Sequence, residues 1–372
     1  MGYSMGIKFS TYNYGYQIVS LALCEDAKNN LLNDNLKTLF VTETEIVLLP
    51  NNIVLSNKFD DIEYLKKYNN YDVLEIWNNG TLIRKYNDKS TDNYFFVTSG
   101  CNSNCIMCPS PEASRRKAQH TSIEDLCTLA KHIPSDAPHL TITGGEPFLV
   151  GEGIFDFIKY LKERFTYTEF LLLTNGRIFS VPKYVELLKQ YLPQNSIVAI
   201  PLHGSCDKVH DNITRARNSF VQTRLGIKNL LKNHIRVELR VVVSKLNVAN
   251  FGEIAEIIHN EFSGIQYVSI IAMEMTGSAK TNKDHIWLPY KEVFCQIKPS
   301  VRFLIENGID VRLYNFPLCT VDSAFWTICE KSISENKVKY AETCDECKYK
   351  KNCGGVFTGT FYLERDELKA IL

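Results

Sequence analysis

Phe95-Phe96-Val97-Thr98-Ser99-Gly100-Cys101-Asn102-Ser103-Asn104-Cys105-Ile106-Met107-Cys108 is the stretch on which the reading of this chain turns. Its first half, Tyr94–Thr98, is apolar and β-branched and reads as a strand. The strand runs straight into three cysteines at the spacing C-x3-C-x2-C. Three thiolates on one short loop can hold three irons of a cubane cluster and leave the fourth iron open. An open position is what a catalytic metal needs, whereas a structural site is closed. Zinc is the alternative, and it requires a fourth ligand. The nearest downstream histidine is His120, twelve residues beyond Cys108.

Outward from this loop, short apolar runs alternate with amphipathic stretches of helical length. Leu140–Thr143, Phe170–Thr174, Ile197–Leu202, Val237–Val243 and Tyr267–Ala272 read as strands. Ser122–His132, Ile154–Phe165, Pro182–Tyr191, Phe220–Asn233, Phe251–Phe262 and Pro289–Asn307 read as helices. Thr121-Ser122-Ile123-Glu124 supplies a helix N-cap with an acidic residue in the first turn. Six βα units in a row imply a parallel sheet, barrel-like or doubly wound, with its chemistry beyond the carboxyl ends of the strands. Residues 1–92 look β-rich instead. Thr38–Leu49 is full of β-branched and apolar residues, and Asp60–Tyr68 reads as one short helix. Val73–Trp77 and Thr81–Tyr86 flank Asn78-Asn79-Gly80, a hairpin signal. No catalytic constellation stands out before residue 93. Beyond Val311–Phe316, one more possible strand, the chain turns cysteine-rich up to Gly355.

The chain has 372 residues, 45% of them apolar and 23% charged, which is the balance of a globular protein with a core. Its 42 basic residues offset its 42 acidic ones. A bulk nucleic-acid binder would need an excess of Lys and Arg, so none is expected. No apolar run approaches the ~18 residues of a membrane span, and MGYSMGIKFS has no basic region followed by an apolar run. A cytoplasmic protein is expected. There, twelve cysteines in two clusters point to metal rather than to disulfides.

Further candidates follow from position. Thr143-Gly144-Gly145-Glu146-Pro147 ends the second strand, where paired glycines let a ligand approach the backbone closely. Thr174-Asn175-Gly176 ends the third strand, and Pro201-Leu202-His203-Gly204 ends the fourth, with His210-Asp211 shortly after. His203 faces the expected mouth, where it would touch a ligand or simply pack. Arg240 and Ser244 lie in and after the fifth strand, where a solvated strand-end polar residue is the plain reading of position. Arg115-Arg116-Lys117 reads as a solvated run beside the loop. Cys24, Cys127, Cys206 and Cys295 are isolated and read as buried small apolar residues. Near the end, Cys344, Cys347 and Cys353 form C-x2-C-x5-C followed by Gly354-Gly355. With Cys319 upstream they make four thiolates, enough to close an iron–sulfur or a zinc site. Cys329 is the competing fourth ligand. Cys319 is preferred because it follows directly on a strand-like run and a turn proline.

A C-x3-C-x2-C loop on the first strand, ahead of a (βα)6 pattern and followed by GGEP, resembles the radical S-adenosylmethionine superfamily. Met107 departs from the aromatic residue usual before the third cysteine, which touches adenine packing and not the cluster. CNSNCIMCPSP at Cys101–Pro111, ITGGEPFL at Ile142–Leu149, FPLC at Phe316–Cys319, KSISENK at Lys331–Lys337 and CDECKYKKNCGGVF at Cys344–Phe357 resemble more closely the radical maturase of the His-Xaa-Ser system. The likeness runs over roughly residues 94–360 and is most specific in the tail. It implies an α/β fold: a partial (βα)6 TIM-like barrel at 93–310, a β-rich N-terminal region at 1–92 and a small cysteine-rich C-terminal iron–sulfur domain at 311–372.

The resemblance also implies a 4Fe–4S cluster on Cys101, Cys105 and Cys108, with S-adenosylmethionine against Gly144, Gly145, Glu146, Pro147, Thr174, Asn175, Arg240 and Ser244. One electron would split the sulfonium and release a 5′-deoxyadenosyl radical, which takes a hydrogen from the substrate. One auxiliary 4Fe–4S cluster is implied on Cys319, Cys344, Cys347 and Cys353, since the cysteines are too few for two. The implied partners are a precursor peptide with His-Xaa-Ser repeats, a second maturase encoded nearby, and a flavodoxin- or ferredoxin-type reductant. Residues 1–92 would dock the precursor by adding a strand at a sheet edge, or merely pack on the barrel. The rival readings are a radical enzyme acting on a small molecule or another protein and, more remotely, a non-enzymatic zinc-binding module.

Overall fold

The computed structural model describes residues 7–10 and 12–372. The reading of the opening MGYSMGIKFS rests largely on residues 1–6, which lie outside the described residues. Two large sheets organise the chain. The first has six strands: β1 (Gln17–Ala22), β2 (Thr38–Val41), β3 (Ile46–Leu49), β4 (Ile53–Ser56), β5 (Val73–Ile76) and β6 (Leu82–Tyr86), in the order β4-β3-β2-β1-β5-β6. The second has eight: β7 (Tyr94–Phe96), β8 (His139–Thr143), β9 (Glu169–Leu173), β10 (Ser196–Pro201), β11 (Val237–Val242), β12 (Tyr267–Ile271), β13 (Val311–Tyr314) and β14 (Cys329–Glu330). These eight lie side by side in chain order and every pair is parallel. β7 and β14 are the two edges and do not pair, so the barrel stays open.

The strands of the large sheet are read on both faces. Leu140 and Ile142 of β8, and Leu172 of β9, are fully buried under the helices. The residues between them, Thr141, Thr143, Leu171 and Leu173, line the concave side. The helices follow their sequence signals. In Ile123–His132, Ser122 caps the first turn by accepting from the Asp125 N–H at 3.0 Å. Leu126, Leu129 and Ala130 bury the 3.6-residue stripe of that helix.

The N-terminal region holds more than strands. A helix at Glu25–Asn33, absent from the sequence reading, links β1 to a parallel β2. Only Ala27 and Leu31 of it are buried, too narrow a stripe to read as a helix. Thr38–Leu49 holds two antiparallel strands, β2 and β3. The Thr42 hydroxyl accepts from the N–H groups of Thr44 and Glu45 and turns the chain. The expected helix at 60–68 spans Phe59–Leu65, and the expected hairpin pairs Glu75 with Ile83. β1 joins the two halves of the molecule. Val19 and Leu21 pack in the N-terminal core, while Ile18 packs in the barrel core. Ser20 reaches His132 Nδ1 at 2.8 Å.

The sheet runs on through β13 and β14, past residue 310 where the sequence places a boundary. A small antiparallel pair, β15 (Val338–Lys339) with β16 (Val356–Phe357), follows. The tail is tied to the barrel twice. The Tyr290 N–H donates to the buried Glu364 at 2.9 Å, and the Met275 N–H donates to Thr360 Oγ1 at 3.0 Å. Among the described residues, no helix is long and apolar enough to cross a membrane.

Candidate active site

The three-cysteine loop leaves the carboxyl end of β7 without regular structure, so side-chain and backbone clamps set its shape. The Asn104 and Ile106 N–H groups donate to the carbonyls of Thr214 and Ile213, both at 2.9 Å. Asn175 Nδ2 donates to Asn102 Oδ1 at 2.6 Å, and Arg177 donates to the Asn102 carbonyl at 2.8 Å. On the other side, Asn282 Nδ2 donates to the Ile106 carbonyl at 3.1 Å, and the Ser278 N–H donates to the Cys108 carbonyl at 2.9 Å. So held, Cys101, Cys105 and Cys108 all border one cleft of about 1030 Å³ on the concave side of the sheet. That is at or above the upper end of ordinary small-molecule pockets, roughly 300–1,000 Å³, and leaves room for more than one ligand.

The three thiols suit a cationic occupant. Burial pushes Cys105 up to about 12, with the neighbouring Cys108 and Cys101 adding to the rise. Burial also raises Cys101, against the Ser103 N–H that donates to its sulfur at 3.4 Å. Crowded, buried thiols ionise together only when a metal compensates them. Among the described residues, no three His, Cys, Asp or Glu side chains converge as ligands of a single ion. Three thiols on the wall of one cleft can hold three irons of a cluster and leave the fourth open to the cleft.

Of the other expected site residues, Gly144, Gly145, Thr174, Asn175 and Arg240 line the same cleft, and so does His203. The glycines are required for space. A Cβ on Gly144 would stand 2.4 Å from the Thr98 carbonyl oxygen, and one on Gly145 2.1 Å from that of Gly100. The GG segment thus packs directly against the base of the cysteine loop. Glu146, Pro147 and Ser244 do not line the cleft. The Glu146 carboxylate is buried and turned inward, accepting from Thr174 Oγ1 at 2.8 Å and from the Asn175 N–H at 2.7 Å. Burial raises its pKa, and these bonds to the charged form oppose the rise. It straps the end of β8 to the end of β9. Ser244 is buried and accepts from the Leu246 N–H, beside Asn247. Asn247 in turn donates to the His203 carbonyl at 3.1 Å.

His203 is buried, its Nδ1 has no partner, and burial lowers its pKa to about 3 with His210 adding to the shift. It is a neutral imidazole at the cleft wall. His210 supports it from behind, its Nδ1 accepting from the His203 N–H at 3.1 Å.

Two arginines at the site are not legible as such in the sequence. Arg177 follows the Thr174-Asn175-Gly176 turn, and that adjacency was the available signal. Arg115 is 6% exposed, which corrects its reading as part of a solvated run; Arg116 and Lys117 are exposed as expected. The isolated cysteines also need correction. Cys24 and Cys295 are exposed, and Cys127 and Cys206 are half-buried. Cys24 stands at the N-cap of the Glu25–Asn33 helix, where a small residue serves without being packed.

Cys319, Cys344, Cys347 and Cys353 line a second, smaller cavity with Tyr340, Tyr349 and Leu368. Cys329 lies outside its lining, on β14. The cavity has built-in N–H donors to sulfur. Leu318 and Gly355 donate to Cys353, and Ile371 donates to Cys347, each at 3.4 Å. Such bonds tune iron–sulfur potentials. Four thiols around an enclosed space, with backbone donors on their sulfurs, fit a closed site.

Residues 95–258 match the model of the Radical SAM superfamily. The chain carries a radical SAM superfamily domain. The domain spans the cysteine loop, the GG turn and the strand ends just described, and it implies a 4Fe–4S cluster and S-adenosylmethionine. An AdoMet-dependent heme synthase of Methanosarcina barkeri is 28% identical over 160 residues, 41% of this chain and 42% of that protein. The antilisterial bacteriocin subtilosin biosynthesis protein AlbA of Bacillus subtilis is 33% identical over 167 residues, 44% of this chain and 35% of that one. The chain thus spans less than half the length of these curated relatives. Among solved structures, SuiB of Streptococcus suis bound to S-adenosylmethionine superposes with a TM-score of 0.51 at 14% identity, over 79% of this chain and 60% of that one. At that identity the likeness speaks for the fold.

Proposed function

We propose that this chain is a radical S-adenosylmethionine enzyme that modifies a ribosomally made precursor peptide of the His-Xaa-Ser type. The observation that carries the reading is the meeting of Cys101, Cys105 and Cys108 with Gly144, Gly145 and Asn175 in one cleft at the carboxyl ends of an open parallel barrel. When bound, the cluster and S-adenosylmethionine supply one-electron cleavage of a sulfonium and a 5′-deoxyadenosyl radical that takes hydrogen from an unactivated carbon. The chain's own residues place and enclose that chemistry. Cys101, Cys105 and Cys108 hold three irons. Gly144 and Gly145 let the cofactor lie against the backbone, and Thr174, Asn175 and Arg240 offer it polar contacts. Glu146, Pro147 and Ser244 act from behind the wall, by holding the strand ends in place. Cys319, Cys344, Cys347 and Cys353 hold an auxiliary 4Fe–4S cluster.

The peptide reading is supported by the tail motifs and by the relative that serves in the biosynthesis of a bacteriocin. A second maturase, a flavodoxin- or ferredoxin-type reductant and a cytoplasmic setting belong to the same proposal. Residues 1–92 offer β4 as an edge for strand addition, with Val54 half exposed on it. At β6, the segment Ile7–Phe9 already bonds the edge beside Gly80 and Leu82. The heme synthase match favours a second reading, a small-molecule substrate.

Iron and acid-labile sulfide per chain, after anaerobic purification, test the proposal. Wild type should hold about eight irons, and the Cys101→Ala/Cys105→Ala/Cys108→Ala variant about four. Zinc in place of iron would overturn the radical reading. Incubation with S-adenosylmethionine, dithionite and a His-Xaa-Ser peptide should then yield 5′-deoxyadenosine and a peptide of altered mass. Cofactor cleavage with the peptide unchanged would shift the assignment to a small molecule or another protein.

A further inference from the structure

Arg115 and Arg116 are neighbours in sequence with opposite fates. Arg116 is solvent-exposed and pairs with Glu112 at 2.6 Å. Arg115 is buried behind the cysteine loop and borders the cleft. Its guanidinium donates to Asn104 Oδ1 at 2.5 Å, to Ser278 Oγ at 3.1 Å and to the Ser110 carbonyl. All three acceptors are neutral. Its Nε is buried with no partner, and among the described residues no carboxylate forms an ion pair with it. A buried cation without an anion is costly, so the fold keeps it only where negative charge arrives from elsewhere. Arg115 shares the lining of the cleft with Cys101, Cys105 and Cys108, and Glu112, the carboxylate that feels its charge, lies outside that lining and is paired with Arg116.

We infer that Arg115 is the fixed counter-charge of the first cluster, a positioning residue that shapes the Cys101–Cys108 loop through Asn104 and makes the cluster easier to reduce. The inference rests on the proposed function. The step it acts on is the entry of one electron from an external one-electron donor, with no bond made or broken. That electron adds negative charge to a site of low dielectric, so a fixed positive charge beside it favours the reduced form.

The test compares wild type, Arg115→Gln and Arg115→Lys as full-length, anaerobically reconstituted proteins. Iron content comes first. The midpoint potential is then followed by electron paramagnetic resonance, with dithionite and mediators, on the signal that changes when S-adenosylmethionine is added. Arg115→Gln should keep its iron but be at least tenfold harder to reduce, a fall of 59 mV for one electron. Arg115→Lys keeps the charge and should stay within threefold of wild type. An unmoved potential in Arg115→Gln would overturn the inference alone, as would an equal shift in both variants. Loss of the first cluster from both variants, with the fold intact by circular dichroism, would also overturn it by making Arg115 a brace only. Absence of iron from the wild-type loop would overturn the proposed function and this inference together.

Discussion

Gly145→Ala tests whether the GG turn and the cysteine loop form one unit. An added methyl would meet the Gly100 carbonyl oxygen at 2.1 Å, the Gly100 carbonyl carbon at 2.6 Å and the Ser99 oxygen at 2.8 Å. All three are backbone atoms, so no side chain can swing away. Reaching ordinary contact near 3.4 Å requires the two segments to part by more than 1 Å. That separation breaks two bonds between them, Gly145 N–H to the Thr98 carbonyl at 2.7 Å and Glu146 N–H to the Gly100 carbonyl at 2.8 Å. A buried bond left unmade costs about 1–3 kcal/mol, so the pair costs about 2–6 kcal/mol. The assay is urea unfolding together with iron content. Gly145→Ala should be destabilised by at least about 2 kcal/mol and should lose iron from the first cysteines while keeping it at the second. Gly264→Ala is the control, since a methyl there meets nothing within 4 Å. A Gly145→Ala protein as stable and as iron-rich as that control would refute the reasoning.

The remaining predictions concern the second cavity and the buried titratable groups. Cys319→Ala should reduce the iron count from about eight to about four, while Cys329→Ala should leave it near eight. The reverse result would transfer the fourth ligand to Cys329. Glu364 is raised to about 7, first by burial. An acid lifted above its unfolded value weakens the fold as pH rises through that interval. Glu364→Gln should therefore be more stable than wild type at pH 8 by about 1–3 kcal/mol and lose that advantage at pH 5, as read by urea unfolding. Burial lowers His132 to about 4, His203 to about 3 and His210 to about 4. These rings are neutral in the fold, so their contribution is complete above pH ~6.5 and is lost as pH falls toward 4. His132→Gln, remote from the cleft, should shrink the acid-side loss; an unchanged slope below pH 6.5 would contradict its burial as a neutral ring.

Strands β7–β12 of the barrel were legible because each is a compact apolar run followed by a helix of recognisable stripe, as in Leu140–Thr143 and the helices around it, whereas the two-residue β14 carries no such signal. The cysteine loop was legible as a unit because cysteine spacing is local. What escaped was set by tertiary contact. Arg115 sits in a basic tripeptide that reads as solvated, and the group that buries it, Ser278, lies 163 positions away. Glu146 belongs to a recognisable turn, yet spacing does not say that its carboxylate points to Thr174 and Asn175 rather than into the cleft. The Glu25–Asn33 helix hides because a two-residue buried stripe carries almost no periodic signal.

The same contrast explains how an irregular loop can be held in one shape. Between Cys101 and Cys108 there is no ladder of backbone bonds to fix position, so clamps from several parts of the barrel hold the loop instead. Asn102 is gripped by Asn175 and Arg177 from the end of β9. Asn104 and Ile106 are gripped by the Thr214 and Ile213 carbonyls beyond β10. Ile106 and Cys108 are gripped from the opposite side by Asn282 and Ser278 beyond β12. The spacing of the thiols is therefore an output of the whole open barrel and not of the eight-residue motif. A loop of this kind transplanted without its strands would keep the cysteines and lose the clamps that set their separation.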